Sequence, residues 1–117
     1  MLDFAHFKHL QQEVLNRPEI KEQAKPAAVV AIILEDLDEE PKLIIIERNQ
    51  YDGHHSGQMA FPGGKMEDSD VDLKDTAIRE TVEELGVDKN LIRVIRPISK
   101  VYIPPSNFIV QPFISIY

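Results

Sequence analysis

Cysteine is missing from all 117 residues. That excludes a disulfide framework, a thiol nucleophile and a zinc–thiolate centre, and it suits a reducing compartment. Basic residues are scarce: 13 lysines and arginines face 20 aspartates and glutamates, a formal net charge of −7. Sequence-independent nucleic-acid binding relies on basic patches, so this balance argues against it. An anionic substrate would have to be held by a metal and by local basic groups. Long hydrophobic runs are lacking too. The longest, residues 27–34, falls far short of the roughly 20 apolar residues that cross a bilayer. The N-terminus has no basic-then-apolar signal layout, and the final Ile-Ser-Ile-Tyr is no peroxisomal address. The expected location is cytoplasmic, with neither membrane nor nucleic acid as a partner. No Gly-x-x-x-x-Gly-Lys-Ser/Thr pattern occurs, which excludes a P-loop ATPase. A serine triad has little support, because Ser56 and Ser69 lack a strand-elbow setting.

What remains is enough for one domain over residues 1–117, with 43% hydrophobic and 28% charged residues, ordinary for a globular chain. Residues 2–15 read as an amphipathic helix, with Phe4, Phe7, Leu10 and Val14 at helical spacing. The N-terminal helical unit closes at Pro18. His6 and His9 lie on it without partners in register and read as surface or packing residues. Residues 19–26 read as a charged linker. Residues 27–34 predict a buried strand, 35–41 an acidic solvated turn, and 42–47 a second strand that completes a hairpin. Residues 49–58 form a polar loop with Asp52, His54 and His55 near its tip, and 58–61 a short strand. One or two β-rich runs follow over 91–103, then a Pro-Pro-Ser-Asn turn. The strand at 108–117 carries Pro112, which suggests a break, at an edge or a bulge. Pattern alone gives an α/β or α+β sandwich.

One stretch organises the rest. Phe61, Pro62, Gly63 and Gly64 form a tight glycine turn, followed by a polar loop and a helix ended by Gly86. Ser69 with Asp72 resembles a cap and its partner, so the helix is expected to begin near Asp70. On it Glu80, Glu83 and Glu84 share an arc of roughly 100°. Ile78, Val82 and Leu85 lie opposite as the packing face, with Ala77 and Thr81 between. An ordinary solvated face would mix in lysines, whereas here only Arg79 interrupts the acid. Several carboxylates beside a backbone carbonyl suit a hard divalent cation. A metal site is therefore expected on Glu80, Glu83 and Glu84, with Gly64 or Gly63 as the backbone ligand.

These residues resemble the signature of the Nudix hydrolases over residues 63–87: Gly, five residues, Glu, seven residues, Arg-Glu, an apolar residue, any residue, Glu-Glu, any residue, Gly, apolar. Arg79, Glu80, Glu83, Glu84, Gly86 and Val87 match it. Asp70 stands where Glu is expected, eight residues rather than seven precede Arg79, and Thr81 replaces an aliphatic residue. The resemblance implies a mixed sheet sandwiched between helices, here apparently truncated at the C-terminus, because such domains usually continue beyond this point. A further likeness, to the coenzyme A pyrophosphatase subgroup, lies in Arg48, His55, Gly57 and the Phe-Pro-Gly-Gly turn. There Ile46 stands for Thr and Asp52 for Leu.

What the resemblance implies is metal-dependent pyrophosphohydrolysis with magnesium or manganese. The expected products from coenzyme A or a derivative are 3′,5′-ADP and 4′-phosphopantetheine. Glu80, Glu83 and Arg79 are the catalytic candidates, Arg79 either orienting a carboxylate, touching phosphate or making a plain ion pair. Arg48, His55, Gly63 and Lys65 are the substrate-binding candidates, the first two for the 3′-phosphate. The alternatives are another nucleoside diphosphate derivative, such as ADP-ribose or a dinucleotide, or a module that senses a nucleotide without cleaving it. Because the family's further elements would flank the last strand, its edge is expected to be uncovered, and the chain is expected to self-associate through that strand or to borrow cover from a partner chain.

Overall fold

The computed structural model describes residues 4–35, 40–48 and 58–117, without the side chains of Phe4, Arg48 and Gln58. Two long strands form the centre: β1 (Lys25–Leu34) and, at the other end of the sequence, β8 (Phe108–Ile116). They run parallel, in register from Lys25 opposite Phe108 to Ile33 opposite Ile116. Their β-branched content suits strands covered on both faces. Shorter antiparallel strands flank them. β2 (Lys42–Ile44) and β5 (Gly63–Lys65) pair with the two halves of β1. β6 (Arg93–Pro97) and β7 (Val101–Ile103) pair with the two halves of β8. The expected hairpin is present as β1 and β2, and residues 36–39 of its loop lie outside the described residues. β3 (Ile46–Arg48) and β4 (Gln58–Ala60) form a separate two-stranded sheet.

Pro112 does not break the last strand or mark an edge, contrary to the sequence expectation. β8 continues through it, with neighbours on both sides. The Pro112 carbonyl accepts from Ile98 N at 3.0 Å, in the interval between the β6 and β7 pairings. In an extended residue N–H and C=O point the same way, so the missing donor falls in that interval and β1 loses nothing. An interior strand offers no free edge, which removes the C-terminal strand as a route to self-association.

Helix α1 (Phe4–Leu15) packs against β7, and the Gln11 Oε1 accepts from Tyr102 N at 3.1 Å. The stretch read as a linker holds a short helix α2 (Pro18–Gln23). Pro18 opens this helix rather than only closing the first, because a first-turn proline needs no N–H partner. Among the described residues no helix is long and apolar enough to cross a membrane.

The core lies between the sheet and helix α3 (Leu73–Leu85). Ala28, Val30, Ile32 and Phe113 meet Ala77, with Leu73, Leu85, Val94 and Tyr117 packed around them. Ser115 on the same strand face is fully buried, and among the described residues its Oγ has no hydrogen-bond partner. An unsatisfied buried hydroxyl costs about 1–3 kcal/mol. Ser115→Ala should therefore leave stability unchanged or raise it by about 1 kcal/mol in urea denaturation. A clear loss would show that the hydroxyl is bonded.

A carboxylate site on the loop before helix α3

Helix α3 starts three residues later than the sequence suggests. Asp72 is extended, at φ −156°, and its Oδ1 caps Asp75 N at 2.8 Å. In turn, Asp75 Oδ2 accepts from Val71 N at 3.1 Å. Ser69 is not the cap: Asp70 N donates back to Glu67 O at 3.0 Å, and the helix begins only at Leu73. At the far end Gly86 takes the left-handed conformation, φ 67°, and its N–H reaches Val82 O at 2.9 Å.

The helix also sits rotated from the expected packing. Its buried residues are Thr76, Ala77 and Thr81, whereas Ile78 and Val82 line an open groove of about 380 Å³ with Ser69, Asp75 and Lys89. Leu85 does pack against the core, as expected. Small residues let the helix approach β1 and β5 closely, and the Thr81 hydroxyl is absorbed by a 2.7 Å bond to Ala77 O. That hydroxyl–carbonyl bond is why a polar residue is tolerated at a buried position of the motif. The rotation carries Glu80 toward the sheet. Its side chain is only 17% exposed, while that of Glu83 is 57% exposed.

Neither Gly63 nor Gly64 has a positive φ, and both belong to β5 rather than to a tight turn. Their lack of a side chain serves close approach. A Cβ on Gly63 would overlap the Ala28 carbonyl oxygen and lie 2.7 Å from Val29 Cα. A Cβ on Gly64 would lie 2.6 Å from both Cδ and Oε1 of Glu80. The Glu80 carboxylate thus rests directly over the Gly64 backbone.

Arg79 ties this arrangement together. Its Nε donates to Asp70 Oδ1 at 2.8 Å and its Nη2 to Asp70 Oδ2 at 3.0 Å, a two-point pairing. Nη2 also reaches Lys65 O at 3.2 Å. Nη1 donates to Glu80 Oε1 at 3.0 Å, with both Glu83 oxygens at 3.4 Å and Glu67 Oε1 at 3.6 Å. Of Lys65, then, it is the backbone that enters this network, and its side chain is exposed.

Asp70, whose role the motif left open, is buried and anchors the arginine. Hydrogen bonds from Arg79, and next from Glu67 N, hold its carboxyl well below the usual carboxylate range, against the opposing effect of burial. The same pairing with Asp70 raises Arg79 above its already high value. A lowered carboxylate pKa stabilises the fold above the unfolded value of about 4, and that stability is lost as pH falls below it. The pairing therefore persists throughout the neutral and mildly acidic range.

Glu67, Asp70, Glu80 and Glu83 surround a single guanidinium, which leaves three of four formal negative charges uncompensated. Among the described residues no three carboxylate or histidine side chains form a ready-made metal cluster. Magnesium needs none, since it commonly uses one or two carboxylates and completes its shell with water and phosphate. The donor set fits such a cation, being all oxygen, net negative and set against a glycine backbone with no side chain in the way. Glu84 is exposed on the last turn. Arg48 ends β3, but its side chain lies outside the described residues, as do Asp52, His54, His55 and Gly57.

A mixed sheet with a glycine-bearing strand beneath an acidic helix defines a class of α+β domain built to present oxygen donors. A family model for the NUDIX domain matches residues 24–117, and the chain belongs to the Nudix family. It is 37% identical over 76 residues to Nudix hydrolase 22, chloroplastic, of Arabidopsis thaliana, a match covering 65% of this chain and 25% of the relative. It is 40% identical over 72 residues to a peroxisomal coenzyme A diphosphatase of Caenorhabditis elegans, covering 60% of this chain and 31% of that one. The chain thus spans about a quarter to a third of the length of these relatives. Among solved structures, the Ap4A hydrolase of C. elegans superposes with a TM-score of 0.64 at 17% identity, over 80% of this chain and 68% of that one. A Nudix hydrolase from M. smegmatis gives 0.62 at 16% identity, over 79% and 60%. At these identities the structures attest the fold, which is the mixed sheet with helices expected.

Proposed function

We propose that the protein hydrolyses the diphosphate bond of coenzyme A or a derivative, giving 3′,5′-ADP and 4′-phosphopantetheine. The observation that carries the hydrolase reading is the Glu80 carboxylate, held by Arg79 over the bare backbone of Gly64. Glu80, Glu83, Glu84 and the Gly64 or Gly63 carbonyl are the groups that would hold magnesium or manganese. Such a cation neutralises diphosphate oxygens and lowers the pKa of water. In this reading Arg79 keeps Glu80 oriented, and exposed Glu83 accepts the proton of the attacking water. Water adds to one phosphorus, the bridging P–O bond breaks, and the released phosphate oxygen takes up a proton. The missing side chain at Gly64 lets the Glu80 carboxylate lie against the backbone.

The coenzyme A assignment rests on the residues that resemble the subgroup, Arg48 and His55 among them, and is supported by the diphosphatase relative. A 3′-phosphate gives both side chains a direct use, since each can donate to phosphate. The test is a substrate panel with magnesium or manganese, read by product mass. Coenzyme A should exceed dephospho-coenzyme A and ADP-ribose in kcat/KM by about tenfold or more, the worth of one lost charge-assisted bond. Preference for ADP-ribose or a dinucleotide would move the substrate class. Binding without turnover of any of them would make the chain a sensor.

A further inference from the structure

Thr76 is fully buried, yet it carries a hydroxyl where a valine of the same shape would fill the space. A buried hydroxyl is costly unless it is used. Here Oγ1 donates to Asp70 Oδ2 at 2.9 Å, and Asp72 O lies further away at 3.2 Å. That carbonyl already accepts from Thr76 N at 3.1 Å. A threonine hydroxyl has one proton to give, and the shorter contact to Asp70 takes it.

The consequence lies in the plane of the Asp70 carboxylate. Its terminal torsion is intrinsically broad, whereas pairing with both Nε and Nη2 of Arg79 requires one orientation. Thr76 Oγ1 and Glu67 N each donate to Oδ2 at 2.9 Å, and together they fix that orientation. Arg79 then has a defined place for Nη1, which holds Glu80 Oε1 at 3.0 Å over Gly64.

We propose that Thr76 is a positioning residue: its hydroxyl sets the Asp70 carboxylate and, through Arg79, holds Glu80 at the site. Its effect on turnover rests on the hydrolase reading above; the geometric part does not. Thr76→Val removes the hydroxyl at constant volume, Thr76→Ser restores it, and Thr76→Ala replaces the valine variant if that does not fold.

The first readout is solvent exchange of the Arg79 Nε–H, followed by NMR without metal or substrate. Exchange should quicken about tenfold in Thr76→Val and return to within about threefold of wild type in Thr76→Ser, as loss of one supporting hydrogen bond implies. The second readout is kinetic. Thr76→Val should lower kcat about tenfold with KM within about twofold, the usual scale for groups that orient a ligating side chain, and serine should rescue it. If wild type hydrolyses no diphosphate, the functional reading falls while the exchange measurement still decides the relay. Unchanged Arg79 exchange in Thr76→Val, or a serine variant that behaves like valine, overturns the proposal. A variant that loses only melting temperature overturns it as well.

Discussion

Alanine at Gly63 is expected to destabilise the domain severely, while alanine at its neighbour Gly64 should leave the fold standing and remove activity. The difference lies in what each new methyl group would meet. At Gly63 it would strike the Ala28 carbonyl and the Val29 backbone, on the central strand. Backbone atoms cannot step aside without disturbing the β1–β5 pairing, so the cost should reach about 3 kcal/mol, the upper part of the overpacking range. At Gly64 its nearest neighbours would be the carboxylate atoms at the end of the Glu80 side chain, which can rotate away. Stability should then fall by less than about 1 kcal/mol, as for a change that a flexible side chain absorbs. Displacing Glu80 by an ångström or so should lower turnover by about a hundredfold. Urea denaturation alongside steady-state kinetics separates the two variants. Equal losses of stability would mean that Glu80 does not occupy the space above Gly64.

Glutamine at Glu80 or at Glu83 should lower turnover by at least about a hundredfold, the smaller end of what a positioned proton acceptor contributes. The fold should not suffer. Glu83 is more than half exposed and meets Arg79 only at 3.4 Å, a geometry worth at most about 1 kcal/mol. Glu80 as glutamine keeps an oxygen for Nη1, and either change removes one of the uncompensated negative charges around the guanidinium, relieving repulsion. Mn²⁺ affinity, measured without substrate, should weaken in both variants. Turnover within about threefold of wild type, set against that hundredfold expectation, would remove these carboxylates from the chemistry.

The two alanine variants also mark a limit of sequence reading. Two adjacent glycines suggest a backbone that a Cβ would forbid, and the turn expected here followed from that. Both glycines instead lie in β5 at ordinary backbone angles. What they spare is space, taken at Gly63 by a strand from far away in the chain and at Gly64 by a helical glutamate. No local pattern carries that information. His55 and the side chain of Arg48, on which the substrate assignment leans, lie outside the described residues, so that assignment rests on sequence and relatives.

The sequence by itself determined the ends of helix α3 to within one turn, the hairpin of β1 and β2, and the neighbouring positions of Arg79, Glu80 and Glu83 along that helix. Each of these depends on residues close along the chain: a left-handed glycine after the last turn, β-branched runs on either side of an acidic loop, and spacings of three or four on a helix. Only the tertiary structure decided the rest. Periodicity shows which helical residues share a face but not which face meets the sheet, and Ala77 and Thr81 won over Ile78 and Val82 because small side chains permit closer approach. Asp70 could be identified as the anchor of Arg79 only once the loop had brought it, with Thr76, against the guanidinium. The proline-bearing final strand became interior because β1, its parallel partner, comes from the opposite end of the sequence, a pairing that only non-local burial can specify.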